Sequence, residues 1–283
     1  MSVPVNLSWS PQADGRFRVR SAWWELLWHP VRGLTEVAFG PTDRGREADE
    51  ARPTASGGNL DQGRPTTAGQ ITDRTGATAS ACPTLTASDS ESASLPHAQR
   101  WKAPAILGLA GLHCRGHAWN VADWPPDEVV IQENRITVSW LTRPGRPVEV
   151  HARWILEGCR FWLEVSLLTP TRLEALALET RSDLGACASM DTPQWHPAVR
   201  PALLRPLAAP DWSYLELAHI RDARQVQFQP DGTVRFRLFD EDLEKGVVLR
   251  GRLLATFVRR TQESELAPQI AREFAETPPN LSR

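Results

Sequence analysis

The chain has 283 residues, with 32 Lys and Arg against 34 Asp and Glu, for a formal net charge of −2. That balance argues against recognition of nucleic acid or an acidic membrane by bulk charge. No apolar run reaches the roughly 18 residues of a bilayer span, and the start Met1-Ser-Val-Pro-Val-Asn lacks the basic and apolar regions of a leader, so a soluble, cytoplasmic protein is expected.

From Arg16 the run Arg-Phe-Arg-Val-Arg alternates polar and apolar side chains, which puts Phe17 and Val19 on one face of a strand. His29-Pro30 and Gly33 mark a turn into a second strand, Leu34 to Phe39. The stretch from Pro41 to Gln99 then holds only four large apolar residues, Leu60, Ile71, Leu85 and Leu95, and no aromatic, although the chain has 12 tryptophans. Such a segment buries too little apolar area to offset the entropy of ordering it and is predicted to be a disordered loop.

Beyond it, Pro104 to Leu112 is apolar with two glycines. Val129 to Trp140 is predicted to be a hairpin turning at Glu133-Asn134. Val148 to Leu156 and Phe161 to Leu167 alternate cleanly around Glu157-Gly158, which implies two-faced antiparallel strands. The period of Leu173 to Thr180 fits a strand or a short helix. Asp191 to Pro210 is Pro-rich and is expected to be a long loop. Trp212 to Leu217 resumes extended structure, Gln225 to Phe239 makes a hairpin around Pro230-Asp231-Gly232, and Val247 to Arg259 is a long closing strand. Leu266, Ile270 and Phe274 recur at helical spacing within Glu263 to Glu276. Roughly ten strands and one terminal helix define an all-β, large antiparallel β-sandwich. Residues 1–283 are read as one domain interrupted at 41–99.

The four cysteines, Cys82, Cys114, Cys159 and Cys187, are far apart and include one in the insert, so no disulfide framework is expected, and Cys159 and Cys187 are read as small core residues.

The order of pieces resembles the galactose-mutarotase-like supersandwich of aldose 1-epimerases, polysaccharide lyase domains and glycoside hydrolase modules. The resemblance is carried by Phe17-x-Val19-x-Ser21-x-x-Trp24-x-Leu26, by Gly33-Leu-Thr-Glu-Val-Ala-Phe-Gly40, by the successive hairpins, and by the closing Leu243-Glu-Lys-Gly-Val-Val-Leu-Arg-x-Arg252. It covers most of the chain outside the insert. It implies sugar recognition and, in the epimerases, a His and a Glu acting as acid and base; no position here matches that motif, so the pair is not carried over.

The strand alternation places His151, Arg153, Trp162 and Glu164 on one polar face, to which Arg235, Arg237, Arg250 and Arg252 are expected to add if their strands neighbour it. Guanidinium groups grip carboxylate or phosphate, and an indole stacks on a sugar ring, so an anionic carbohydrate or sugar phosphate is the expected ligand. The plain alternative is the solvated side of an ordinary sheet. For catalysis, Glu244 in the acidic run Asp240 to Glu244 and His196 in the Pro-rich loop are the candidate base and acid, as in an epimerase or lyase. A non-catalytic protein-interaction module is the third alternative. His113, Cys114 and His117 have ligand chemistry, but Gly111 and Gly116 argue against the helix that would gather them, so no metal or cofactor is expected. No Gly-rich phosphate loop or serine-nucleophile elbow is present.

Overall fold

A computed structural model describes residues 9–13, 16–20, 24–29, 33–39, 100–101, 103 and 105–277. The polar insert at 41–99, including Cys82, lies outside the described residues.

Two large sheets pack face to face. The first contains β1 (Ser10–Pro11), β2 (Phe17–Arg20), β3 (Trp24–His29), β4 (Gly33–Phe39), β5 (Arg100–Trp101), β6 (Ala105–Cys114), β7 (His117–Asn120), β12 (Leu173–Asp183), β16 (Ala223–Phe228) and β17 (Thr233–Leu243). Its order is β1-β2-β3-β4-β6-β12-β17-β16, with β5 beside β4 and β7 beside β6. The second contains β8 (Glu128–Gln132), β9 (Arg135–Trp140), β10 (Glu149–Glu157), β11 (Arg160–Leu168), β13 (Cys187–Asp191), β14 (Val199–Pro206), β15 (Trp212–His219) and β18 (Val248–Arg259), in the order β13-β14-β15-β18-β11-β10-β9-β8. All pairings are antiparallel except a short parallel contact between β4 and β6. That contact needs Gly33: its φ is +70°, and a Cβ there would lie 2.3 Å from the Ile106 carbonyl oxygen.

The alternation that defines the strands also builds the core. Val150, Ala152, Trp154 and Leu156 of β10 are buried, as are Phe161, Leu163, Val165 and Leu167 of β11. They face Leu112, Leu178, Val234, Phe236 and Leu238 of the first sheet in one apolar cluster. Burying each such side chain contributes about 1.5–3 kcal/mol before entropy is counted. Trp154 meets Trp28 edge-on at 5.1 Å, and its indole N–H donates to the Leu107 carbonyl at 2.8 Å.

A thin polar seam crosses this core. The Leu107 N–H donates to Ser182 Oγ at 2.9 Å, Ser182 Oγ lies 3.1 Å from the Tyr214 hydroxyl, and Tyr214 donates to Glu216 Oε2 at 2.6 Å. Glu216 is fully buried, its other carboxyl oxygen has no hydrogen-bond partner, and burial pushes its pKa up to about 7.

Helix α1 (Glu263–Glu276) lies on the outward face of the second sheet, as its apolar spacing predicts. Ala267, Ile270, Ala271 and Phe274 pack there on Leu215, Leu217, Leu254 and Val258. No helix among the described residues is long and apolar enough to cross a membrane.

Two expectations are corrected and one open choice is decided. The strands number eighteen among the described residues, not about ten. Leu173 to Thr180 resolves as strand. The Pro-rich stretch Asp191 to Pro210 contains β14, which accommodates Pro201 because β13 pairs only with the later part of β14, from Leu203 onward, leaving the neighbouring edge open beside Pro201. Cys114 and Cys187 are free thiols; Cys159 and Cys187 are half-buried, and burial pushes the Cys187 thiol up to about 11.

Candidate functional site

The residues singled out from sequence divide between two outward faces. On the second sheet, register places Arg153 opposite Glu164 and Glu164 opposite Arg252, with His151, Ser166 and Arg250 in the next row. These six, His151, Arg153, Trp162, Glu164, Arg250 and Arg252, do share one face. Arg235 and Arg237 belong to β17 in the other sheet, so the single basic surface expected from sequence does not form.

Helix α1 also occupies part of that surface. Trp162 stacks on Phe274 with centroids 5.8 Å apart, and its indole N–H donates to Glu157 at 3.0 Å. The expected sugar platform is therefore a helix-docking surface. Arg252 is 6% exposed, and its guanidinium donates to the carbonyls of Phe274, at 3.0 Å, and Thr277. It thus satisfies carbonyls that the helix end leaves open, at the pole where a cation is favoured. Burial draws its pKa down, while Asp222 and Glu164 oppose that shift.

Farther along the face, His151 Nδ1 lies 2.9 Å from Ser139 Oγ and His151 Nε2 lies 2.5 Å from Glu149. Hydroxyl, imidazole and carboxylate are aligned, but Ser139 is buried within a continuous antiparallel ladder. The backbone N–H groups there serve strand pairing, so the row has no oxyanion donors for nucleophilic chemistry.

The proposed acid and base do not form a pair. Glu244 is exposed and faces Arg172 at 3.4 Å, whereas His196 accepts from the Ala198 N–H at 3.1 Å in a local turn near His219. The acidic run is neutralised residue by residue: Asp240 by Arg237, Glu241 by Arg224, and Asp242 and Glu244 by Arg172. Cys114 and His117 lie on the face of β6 and β7 opposite to His113.

The outward face of the first sheet brings together a different set. Strand pairing sets Glu179 of β12 between Gly111 of β6 and Arg237 of β17, with Arg181 opposite Arg235 in the next row. Glu179 is the shared counter-charge. His113 Nε2 lies 3.3 Å from its Oε1, Arg235 3.6 Å from its Oε2, and Arg237 3.9 Å from its Oε1. These ion pairs are loose, and they leave donors over: His113 Nε2, Arg181 Nε and Arg235 Nε are buried without a hydrogen-bond partner. Arg237 also reaches Asp240 at 3.1 Å, and Arg181 reaches Asp183 at 2.9 Å. Phe239 and Asp240 both have left-handed backbone, φ +70° and +71°, which turns the Phe239 ring into the core and leaves Asp240 exposed beside Arg237.

Sequence reasoning reached Arg235 and Arg237 but missed Glu179 and Arg181, and it weighed His113 only as a metal ligand. The readable signal was the alternation Glu179-Thr-Arg181-Ser-Asp183, which marks a polar outer face once β12 is taken as a strand.

No family model matches the chain, and no curated protein matches it. Among solved structures, the fold is similar to galactose 1-epimerase from Lactobacillus acidophilus, at 8% identity and TM-score 0.43, covering 91% of this chain and 99% of that one. It is similar to an aldose epimerase homologue from C. elegans at 7% identity and TM-score 0.40, covering 84% and 97%. A protein assigned as a kojibiose phosphorylase from the human microbiome aligns at 9% identity and TM-score 0.45, covering 64% of this chain, which spans only 27% of that protein's length. Aldose epimerases, one of the groups the sequence pattern resembles, are among these neighbours. At such identities the likeness is one of chain path, and the chemistry has to come from the side chains.

Proposed function

We propose that the protein recognises an anionic or phosphorylated sugar on the outward face of the first sheet, around Glu179, Arg235 and Arg237. One observation carries this reading: a single carboxylate is shared by two guanidinium groups and an imidazole, while Arg235 Nε beside it and Arg181 Nε in the next row are buried without a hydrogen-bond partner. Leaving a buried donor unsatisfied costs about 1–3 kcal/mol, which an acceptor-rich ligand relieves on binding. Carboxylate or phosphate oxygens suit the guanidinium groups, and ring hydroxyls suit Glu179. The free thiols of Cys114 and Cys187 fit a reducing compartment, the cytoplasm.

Titration calorimetry with glucose, glucuronate and glucose 6-phosphate tests this. Saturable binding of the two anions, at least tenfold tighter than glucose, and its loss in Arg235→Ala and Arg237→Ala but not in Arg153→Ala, is expected. Loss in Arg153→Ala alone would move the site to the other sheet, and no saturable binding of any sugar would overturn the proposal.

A catalytic version of the same site is favoured by the closeness of His113 and Glu179. Their 3.3 Å separation sets a proton donor beside a proton acceptor, as acid–base chemistry on a sugar requires, and this pair replaces Glu244 and His196. Turnover that disappears in His113→Ala while sugar affinity persists would establish it.

A further inference from the structure

The second sheet ends on β8, Glu128-Val-Val-Ile-Gln132, which pairs only with β9; among the described residues its other edge has no partner strand. Val129, Val130 and Ile131 are 37%, 36% and 37% exposed. Proteins usually blunt such an edge with Pro, Lys or a bulge. β8 has no Pro or Lys, and its register with β9 runs unbroken from Glu128↔Ser139 to Gln132↔Arg135.

We propose that β8 pairs antiparallel with β8 of a second copy, about a twofold axis at Val130, joining the two eight-stranded sheets edge to edge. The strand is self-complementary in that register. Val129 and Ile131 lie opposite the core residues Val138 and Ile136, so both point to the core side of the sheet. Pairing about Val130 sets Val129 of each copy against Ile131 of the other, which carries the apolar layer across the axis. Cross-strand pairs of β-branched residues are favourable, and those on the core side lose water together. Val130 meets its own counterpart on the opposite face.

The charges fit as well. Glu128 falls opposite Gln132 of the second copy, so no like charges oppose each other within the strand. One step further, Glu133 falls opposite Asp127, whose carboxylate is already paired with Arg143 and Arg146. A five-residue strand pair buries less than the roughly 1,000 Å² of a durable interface, so association in about the 10–100 µM range is expected.

Sedimentation equilibrium of the full chain over a hundredfold concentration range tests this. The mass is expected to rise from one chain toward two. The double variant V129K/I131K, which places like charges around the axis, is expected to remain a monomer throughout with an unchanged circular dichroism spectrum. V130C keeps the proposal testable should the double variant fail to fold: directly opposed strand residues lie about 4.5–5.5 Å apart between Cα atoms, within disulfide reach, so oxidation should link two copies through the peptide containing position 130. A wild-type mass of one chain across the range, undiminished dimer in V129K/I131K, or a V130C cross-link that maps only to other cysteines would overturn it.

Discussion

Gly111 lies directly across the β6–β12 ladder from Glu179, and the side chain it lacks leaves room for the His113 imidazole. A Cβ at position 111 would stand 2.9 Å from His113 Nε2 and 3.6 Å from a Glu179 carboxyl oxygen. The colliding atom is the far end of a side chain that can swing away. Gly111→Ala is therefore expected to change stability by less than about 1 kcal/mol while moving His113 off Glu179. Chemical denaturation should show a near-native midpoint, and calorimetry with glucose 6-phosphate at least a tenfold loss of affinity.

Glu216 gives the fold a pH dependence of known direction. Its folded pKa of about 7 lies above the ordinary carboxyl value, so the native state holds this proton more tightly than the unfolded chain does. The associated stability is complete in acid below the ordinary carboxyl range and is lost as pH rises toward and through 7. The groups facing it are Tyr214 on its own strand and Ser182 on β12. Urea unfolding at pH 5 and pH 8 should show wild type losing about 2 kcal/mol from this group, and Glu216→Gln should remove that component and be the more stable form at pH 8.

At the opposite pH extreme, Glu263 has the reverse sign. It opens α1, accepts from Arg205 Nε at 3.0 Å and from Ser213, and the Arg205 hydrogen bonds hold its pKa below the ordinary value. Its contribution is present above that value and disappears as pH falls through the folded pKa. Glu263→Gln is expected to cost about 1 kcal/mol at pH 7 and nothing once wild-type Glu263 is itself protonated, a convergence that paired melts at pH 7 and in strong acid would reveal.

Arg252 secures the other end of the same helix. Arg252→Ala removes both guanidinium contacts to the terminal carbonyls and the cation that lies 4.8 Å from the Phe274 ring centre. A loss of about 2–3 kcal/mol is expected. Trp162 should become more solvent-exposed, visible as a red shift in fluorescence. A variant with native stability and unchanged emission would show that apolar packing alone holds the helix.

Elements with strong local periodicity were legible from sequence. The β10–β11 hairpin, the β16–β17 hairpin and α1 all follow from alternation or helical spacing, because their faces are set by residues close in the chain. The sheet to which each strand belongs was not legible. Arg235 alternates just as Arg153 does, yet β17 joins β12 while β10 joins β11, and only long-range pairing decides that. Trp162 was correctly placed on an outward face, but its cover, Phe274, lies more than a hundred residues away. Glu179 escaped notice, and His113 was weighed only as a metal ligand, for the same reason: each is ordinary within its own strand, and they become a cluster only when β6, β12 and β17 lie side by side.

The position of β18 has a consequence for how the protein is made. It follows every other described strand in the chain, yet it occupies the middle of its sheet, between β15 and β11. As the chain leaves the ribosome, β8–β11 and β13–β15 therefore emerge as two half-sheets, each with an open inner edge, until the strand that joins them arrives. Such unpaired edges on a slow, non-local topology are targets for chaperones and for misassociation. The nascent protein is thus at its most vulnerable shortly before synthesis of β18 is complete, and α1, which follows directly, docks across Leu254 of the newly inserted strand.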